Sequence, residues 1–411
     1  MHRVFFGLLV CLYSTMGMAQ QRSMNYFVDA AVEQSPLLKD LHNQVTAQKL
    51  DSLLIRATQR TQANFTSNDS YAPVINGYGY DEAITNIANV SALFGVTKSL
   101  SNGPNNKLQF ANIRLLADAA KNNLAVSEQD IRKTIINQYL ITYGDLLQLN
   151  FNRELQDMLS KQEEVLKKLT QKNVYKQVDY LTFIVTLQQN NFKLKQQENI
   201  YRNDYATLNY LAGIVDSNYV ALEEPEMNLD SLPDFASSVF NRKYTIDSLS
   251  LATSKALLDI NYKPKLNVFA DAGYNSSLQV QPYRNFGWSA GLSLVVPLYD
   301  GGQKKIQYDK IALQEDTRRA NQAFYNNQYR QQIAQLRQQL DASTALIADI
   351  NEQLKYIQTL IKVHQQLLQT GEVRIYDYIL ALNNYLNTKT MVNENTVSRW
   401  MLINQLNYWN R

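Results

Sequence analysis

Cysteine is almost absent from this chain of 411 residues: Cys11 is the only one. Histidine is scarce too, with three. These shortages leave no Cys/His ligand set for a transition metal and no nucleophile–histidine constellation, which argues against an exported hydrolase. No cofactor is expected, and the chain is read as not an enzyme. Charge of one sign is also missing. The whole sequence carries +3, and Arg3 is the only charged side chain among the first nineteen residues, so the remainder sits near +2. That is no electrostatic footprint for nucleic acid. Beyond residue 19 no run of about 18 apolar residues occurs, so no transmembrane helix is expected. Glycine and proline are missing from all of 303–370.

What is present begins with a leader. Arg3, the apolar run Phe5 to Tyr13 and the small residues of Gly17-Met18-Ala19 read as a secretory signal over residues 1–19. Val10 is large where a lipoprotein site before Cys11 wants a small residue. A cysteine-free exported chain suits an oxidising compartment without using disulfides. Its possible homes are the periplasm, the cell surface, or the outer membrane as a barrel.

The chain also repeats itself. "TKSLSNGPNNK" from Thr97 falls on "VVPLYDGGQKK" at an offset of 198, placing Asn102 on Asp300, Gly103 on Gly301 and Lys107 on Lys305. The same offset carries Asp179 onto Asp377, and Leu208-Asn209-Tyr210 onto Leu406-Asn407-Tyr408. A duplication dictates architecture. The first repeat is read over 20–212, with a β-hairpin at about 62–100. A connector follows over 213–236, holding Pro225 and Pro233. The second repeat covers 237–411, with a hairpin at about 264–299. Each repeat reads as a helical segment (Asn25 to about Gln59; Phe240 to about Asn261), two strands, a very long helix, a short turn and a closing helix. The long helices are expected over about Asn105–Lys172 and Gln303–Thr370, the closing ones over Asp179–Ala212 and Asp377–Asn410.

The strands alternate. Trp288, Ala290, Leu292, Leu294 and Val296 take one face; Ser289, Gly291 and Ser293 take the other. Leu266, Val268, Ala270, Ala272 and Tyr274 keep this phase in the partner strand, as do Val90, Ala92, Phe94 and Val96 in the first hairpin. Period two with one apolar face fits a lipid-facing barrel strand, with Tyr274, Phe286 and Trp288 as an aromatic girdle; it fits a sheet packed on helices equally well. A helix of 68 residues is roughly 100 Å long, deeper than any globular core. Positions 333, 336, 340, 343, 347, 350, 354, 357, 361, 364 and 368 form a seam of coiled-coil type, broken by Ser343 and His364. A weaker stripe holds Leu346, Tyr356, Leu360, Val363 and Leu367. Two seams give the helix a neighbour on each side. Four strands cannot close a barrel, and an open edge in lipid costs several kcal/mol per unpaired group, so further copies are required. Two chains give eight strands, three give twelve.

"PKLNVFADAGY", "GWSAGLSLVVPLYDGG", "TGEVRIYDYILAL" and Ser35-Pro36-Leu37 together resemble the TolC family of outer-membrane efflux and secretion channels over nearly the whole chain. The resemblance implies a mainly α fold with a small β part. It implies a homotrimer whose helical barrel continues into a twelve-stranded outer-membrane β-barrel set in lipid. The partners implied are a periplasmic adaptor and an inner-membrane RND or ABC pump; the location implied is the outer membrane of a Gram-negative bacterium, with a long periplasmic extension. Pro297, Asp300, Gly301 and Gly302, with Asn102 and Gly103, become the strand-to-helix junction, where Pro297 ends a strand and Asp300 caps a helix. Asp377 matches the acid of the family's inner constriction, and Asp179 is its repeat mate. A ring of such carboxylates favours cations and raises its members' pKa; an Asp after a turn is also a good helix cap. Gly371, Arg374 and Asn173 become candidate adaptor contacts at the inner tip. The sequence departs from the family where the second constriction acid falls at Leu380 and the closing arginine at Val373. The different reading kept beside the channel is an exported coiled-coil scaffold without a pore. Gly301 to Lys305 lacks phosphate-loop spacing, and Glu223, Glu224 and Glu226 read as solvated loop.

Overall fold

The computed structural model describes residues 21–85, 87–100, 103–216, 218–231, 235–279 and 281–410. The leader expected over 1–19 and Asn102 of the first junction lie outside them. The elements in chain order are α1 Met24–Gln34, α2 Pro36–Thr58, β1 Gln62–Tyr71, the short α3 Glu82–Thr85, β2 Ala88–Ser99 and α4 Gly103–Gln171. There follow α5 Gln177–Leu211, α6 Val239–Asn261, β3 Lys265–Ser276, β4 Phe286–Val295, α7 Gln303–Thr370 and α8 Ile375–Trp409.

The run free of glycine and proline is α7 at the expected bounds, because nothing within it breaks a helix. The first helical segment consists of two helices that meet at Ser35-Pro36. Ser35 is extended and Pro36 opens α2, since a proline restrains the residue before it and fits the first helical position.

Two compact units share these elements, and each draws on both repeats. The first holds α1, α4 from Glu128, α5 and the connector to Pro233, α7 from Arg330, and α8. Its core has two clusters. One gathers Phe27, Tyr139, Leu149, Tyr201, Leu208 and Trp400; the other gathers Leu159, Leu166, Phe183, Leu368, Tyr378 and Leu382. The α7 seam is its buried stripe: Leu336, Ile350, Leu354, Ile361 and Leu368 are buried and Ile333, Leu340, Ser343, Ile347, Ile357 and His364 half-buried. The second stripe is largely bare, with Tyr356 70 % exposed beside exposed Leu346, Leu360 and Val363, while Leu367 is half-buried against the second cluster.

The second unit holds α2, α4 to Ser127, α6, α7 to Tyr329 and one antiparallel sheet in the order β1-β2-β3-β4. The register lines Phe65, Phe94, Ala272 and Trp288 in one row across all four strands. The next row, on the opposite face, reads Asn64, Gly95, Asp271 and Ser289, and Ser289 Oγ donates to Asp271 Oδ2 at 2.8 Å. The apolar face is uncovered: Trp288 is 81 % and Phe94 69 % exposed, with Phe65, Phe286, Leu292 and Leu294 exposed around them. This removes the reading of a sheet packed on its own helices. β1 and β4 are both free edges.

Candidate functional site

β4 stops at Val295, so Pro297 lies beyond the ladder, where its missing N–H costs nothing. Gly301 (φ +65°) and Gly302 (φ +83°) are both left-handed, a conformation that glycine adopts without strain. Asp300 then caps α7. Its Oδ1 accepts from Gly302 N–H at 2.9 Å and its Oδ2 from Lys304 N–H at 2.8 Å. These two bonds hold the carboxyl below its ordinary range. Gly103, the mate of Gly301, lies inside the first turn of α4 instead.

The other candidate residues gather at two turns of the first unit, one joining α4 to α5 and one joining α7 to α8. Both turns use the same bonds. Asn173 N–H donates to Thr170 O (3.0 Å) and Val174 N–H to Leu169 O (2.9 Å); Gly371 N–H donates to Leu368 O (3.3 Å) and Glu372 N–H to Leu367 O (3.0 Å). This is the helix ending in which one left-handed residue turns the chain. Asn173 (φ +61°) and Gly371 (φ +81°) are those residues. A Cβ on Gly371 would lie 2.5 Å from Val174 Cγ1, so glycine is required there for space as well.

Tyr175 ties the turns together. It is buried, and its hydroxyl donates to Val373 O at 2.9 Å and Leu368 O at 3.3 Å. Tyr175 and Val373 are repeat mates, 198 apart. Sequence reasoning missed this bridge, although the repeat offset pairs the two residues. Behind them Phe183 stacks on Tyr378, ring centroids 6.3 Å apart.

Asp179 and Asp377 occupy the third helical position of α5 and α8, not the cap itself; the cap residues are Lys176 and Arg374. Asp179 Oδ2 accepts from Lys176 N–H at 3.2 Å. Asp377 accepts both arms of Arg374, Nε at 2.7 Å and a terminal nitrogen at 3.1 Å. Arg374 is 83 % exposed and Val373 is buried, so the residue at the family's closing-arginine position is a packing residue here. Leu380 and Tyr376 of α8 and Val178, Leu181 and Val185 of α5 present exposed apolar side chains near the turns. The spacing of the last three marks one helix face, a signal that sequence reasoning passed over.

No protein-family model and no curated protein matches the chain. Solved structures do. CusC, in a study of transmembrane channel formation, matches at a TM-score of 0.76 over 94 % of this chain and 92 % of its own, with 11 % identity. The outer membrane protein VceC of Vibrio cholerae matches at 0.73 over 94 % and 96 %, with 13 % identity. The open state of the MtrE outer membrane channel of Neisseria gonorrhoeae matches at 0.73 over 94 % and 88 %, with 10 % identity. The chain has the TolC-like fold. Within that fold, α4 and α7 are the two long helices and β1 to β4 form one sheet. The pairing is mainly α with a small β part, as the sequence resemblance implied.

Proposed function

We propose that this protein is a passive exit duct in the outer membrane of a Gram-negative bacterium, a homotrimer without catalysis of its own. The observation that carries this is the sheet. A complete apolar row meets water on one face, a polar row lies on the other, and both edges are free. Hydrocarbon suits the first face, a water-filled lumen the second, and strands from other copies the edges. Three copies give twelve strands, and the exposed second stripe of α7 supplies a seam for a neighbouring copy. The similar structures, named as outer membrane channels, support the same reading.

Efflux or type I secretion then follows from docking of a periplasmic adaptor and an inner-membrane pump at the tip, around Gly371, Arg374 and Asn173. Asp377 is the proposed cation-favouring group of the constriction, with Asp179 behind it. Breaking the Arg374 pair frees the Asp377 carboxylate without disturbing the buried Tyr175 bridge, so the pair is suited to a docking partner's intervention. The coiled-coil scaffold reading leaves the bare apolar row of the sheet without a purpose.

Conductance of the purified protein in planar bilayers tests this. Discrete cation-preferring channels that widen in Arg374→Ala are expected. Bilayers that stay silent at every voltage, for wild type and variant alike, would overturn the duct.

A further inference from the structure

The end of the sheet that leads into the long helices carries most of the chain's positive charge. β1 and β3 begin there, and β2 and β4 finish there. The four segments that meet the sheet at that end, 52–62, 98–107, 255–265 and 296–310, hold ten Lys and Arg and three Asp. That is +7, against +3 for the whole chain, so everything else sums to −4. All four segments belong to the second unit. The opposite end is unlike it: the turns over 72–87 and 277–285 have Asp81, Glu82 and Arg284 as their only charged residues. Charge is therefore graded along the strands, a feature that the proposed constriction and tip do not use.

Little of this charge is neutralised within the chain. Lys304 Nζ pairs with Asp259 Oδ1 at 2.9 Å, and the Tyr308 hydroxyl donates to the same oxygen. Asp300 is committed to its cap. Arg56 lies over the Phe110 ring and Lys255 over that of Tyr308. Lys98, Lys107, Lys263, Lys265, Lys305 and Lys310 are exposed and, among the described residues, have no ion-pair partner. Apolar side chains stand among them. Leu298 is 92 % and Tyr299 90 % exposed, between the end of β4 and the Asp300 cap, and Ile306 is exposed in the first turn of α7. Lysine stems lie along apolar surface while their ammonium groups stay in water, which suits the boundary between hydrocarbon and headgroups. A second copy of the chain brings charge of the same sign, so it does not complement this collar.

We propose that the collar binds the headgroup phosphates of anionic phospholipids in the leaflet facing the long helices. The inference rests on the duct reading, which puts the uncovered row of Phe94 and Trp288 in hydrocarbon. Lipid covering that row ends in a headgroup at the level where the strands stop. There the collar offers ammonium groups to phosphate, whereas the far turns carry more acid than base. Lysine is a compact point charge on a flexible stem, suited to fluid headgroups rather than to one fixed anion. Each cation near an anionic surface adds to the attraction, which falls off within a Debye length. The collar thus sets the depth and the direction of the barrel in the membrane.

Native mass spectrometry of the full chain in neutral detergent tests this, titrating with phosphatidylglycerol or with phosphatidylcholine of the same acyl chains. Wild type should retain phosphatidylglycerol over phosphatidylcholine by about tenfold or more. The combined variant Lys263→Gln, Lys265→Gln, Lys305→Gln and Lys310→Gln should lose that preference to within about twofold. Its melting temperature should not move, because these side chains are exposed. Removing as many lysines from the first unit, with Lys161→Gln, Lys167→Gln, Lys168→Gln and Lys172→Gln, should leave the preference intact. No preference in wild type, or an equal loss in both variants, would overturn the collar. Insertion into vesicles of pure phosphatidylcholine, resistant to alkaline extraction, reads the duct separately. Insertion without an anionic preference would overturn the collar and leave the duct standing; failure to insert would overturn both.

Discussion

Lys172–Lys176 and Thr370–Arg374 trace one turn twice, bond for bond, and yet hardly a side chain is shared. The first has Asn173 in the left-handed position, a buried tyrosine next but one, and an aspartate folded back on its own cap. The second has Gly371 with Val174 against it, a buried valine, and an aspartate clamped by a surface arginine. The backbone motif sets where the chain reverses, because left-handed geometry and the two closing bonds are needed in both copies. The side chains set what each turn does. The first reaches across to hold the second; the second carries its charged pair out to solvent.

Substitutions that break this asymmetry should differ in size. Gly371→Val combines left-handed strain with a contact too short for a Cβ, and should cost about 2–4 kcal/mol in denaturant unfolding. Asn173→Gly, at the mate position, should stay within about 0.5 kcal/mol. If the two costs prove equal, the turns are not packed as described. Tyr175→Phe comes next. It deprives two carbonyls of a donor, those of Leu368 and Val373, for about 1–2 kcal/mol. Protection from exchange should then fall at the second turn as well as the first; a loss confined to 172–176 would contradict the bridge. Arg374→Ala should leave the melting temperature unmoved, since the pair is exposed, while changing conductance. Asp377→Asn should move the reversal potential toward anions by more than Asp179→Asn does, because Asp377 pairs with a side chain that is 83 % exposed whereas Asp179 is bonded to the cap of its own helix.

Much of this was legible in the sequence. The absence of glycine and proline between Gly302 and Gly371 gave α7 its bounds, and a three-four seam from position 333 to 368 named its buried face, including the half-buried Ser343 and His364. Alternation assigned the faces of three strands, and the register bears that out from Phe94 to Trp288. Alternation could not tell lipid from a covering helix, because both ask for the same side chains; the bare face of Trp288 and Phe94 was needed for that. The break at Ser35 was legible only through the resemblance of Ser35-Pro36-Leu37 to a family motif that follows the first helix, since periodicity is helical on both sides. Asp377 was read as a pore acid or a cap, and it sits three positions past the cap residue Arg374, since propensity locates a helix end only to within a few residues.

The account rests on a sheet that is incomplete in one chain. The mass of the protein particle, measured by light scattering with the detergent contribution subtracted, tests that most directly. Three chains per particle, with precipitation once detergent is withdrawn, is the expected result. A folded single chain that remains dispersed in detergent-free buffer, with Trp288 open to an aqueous quencher, would contradict it.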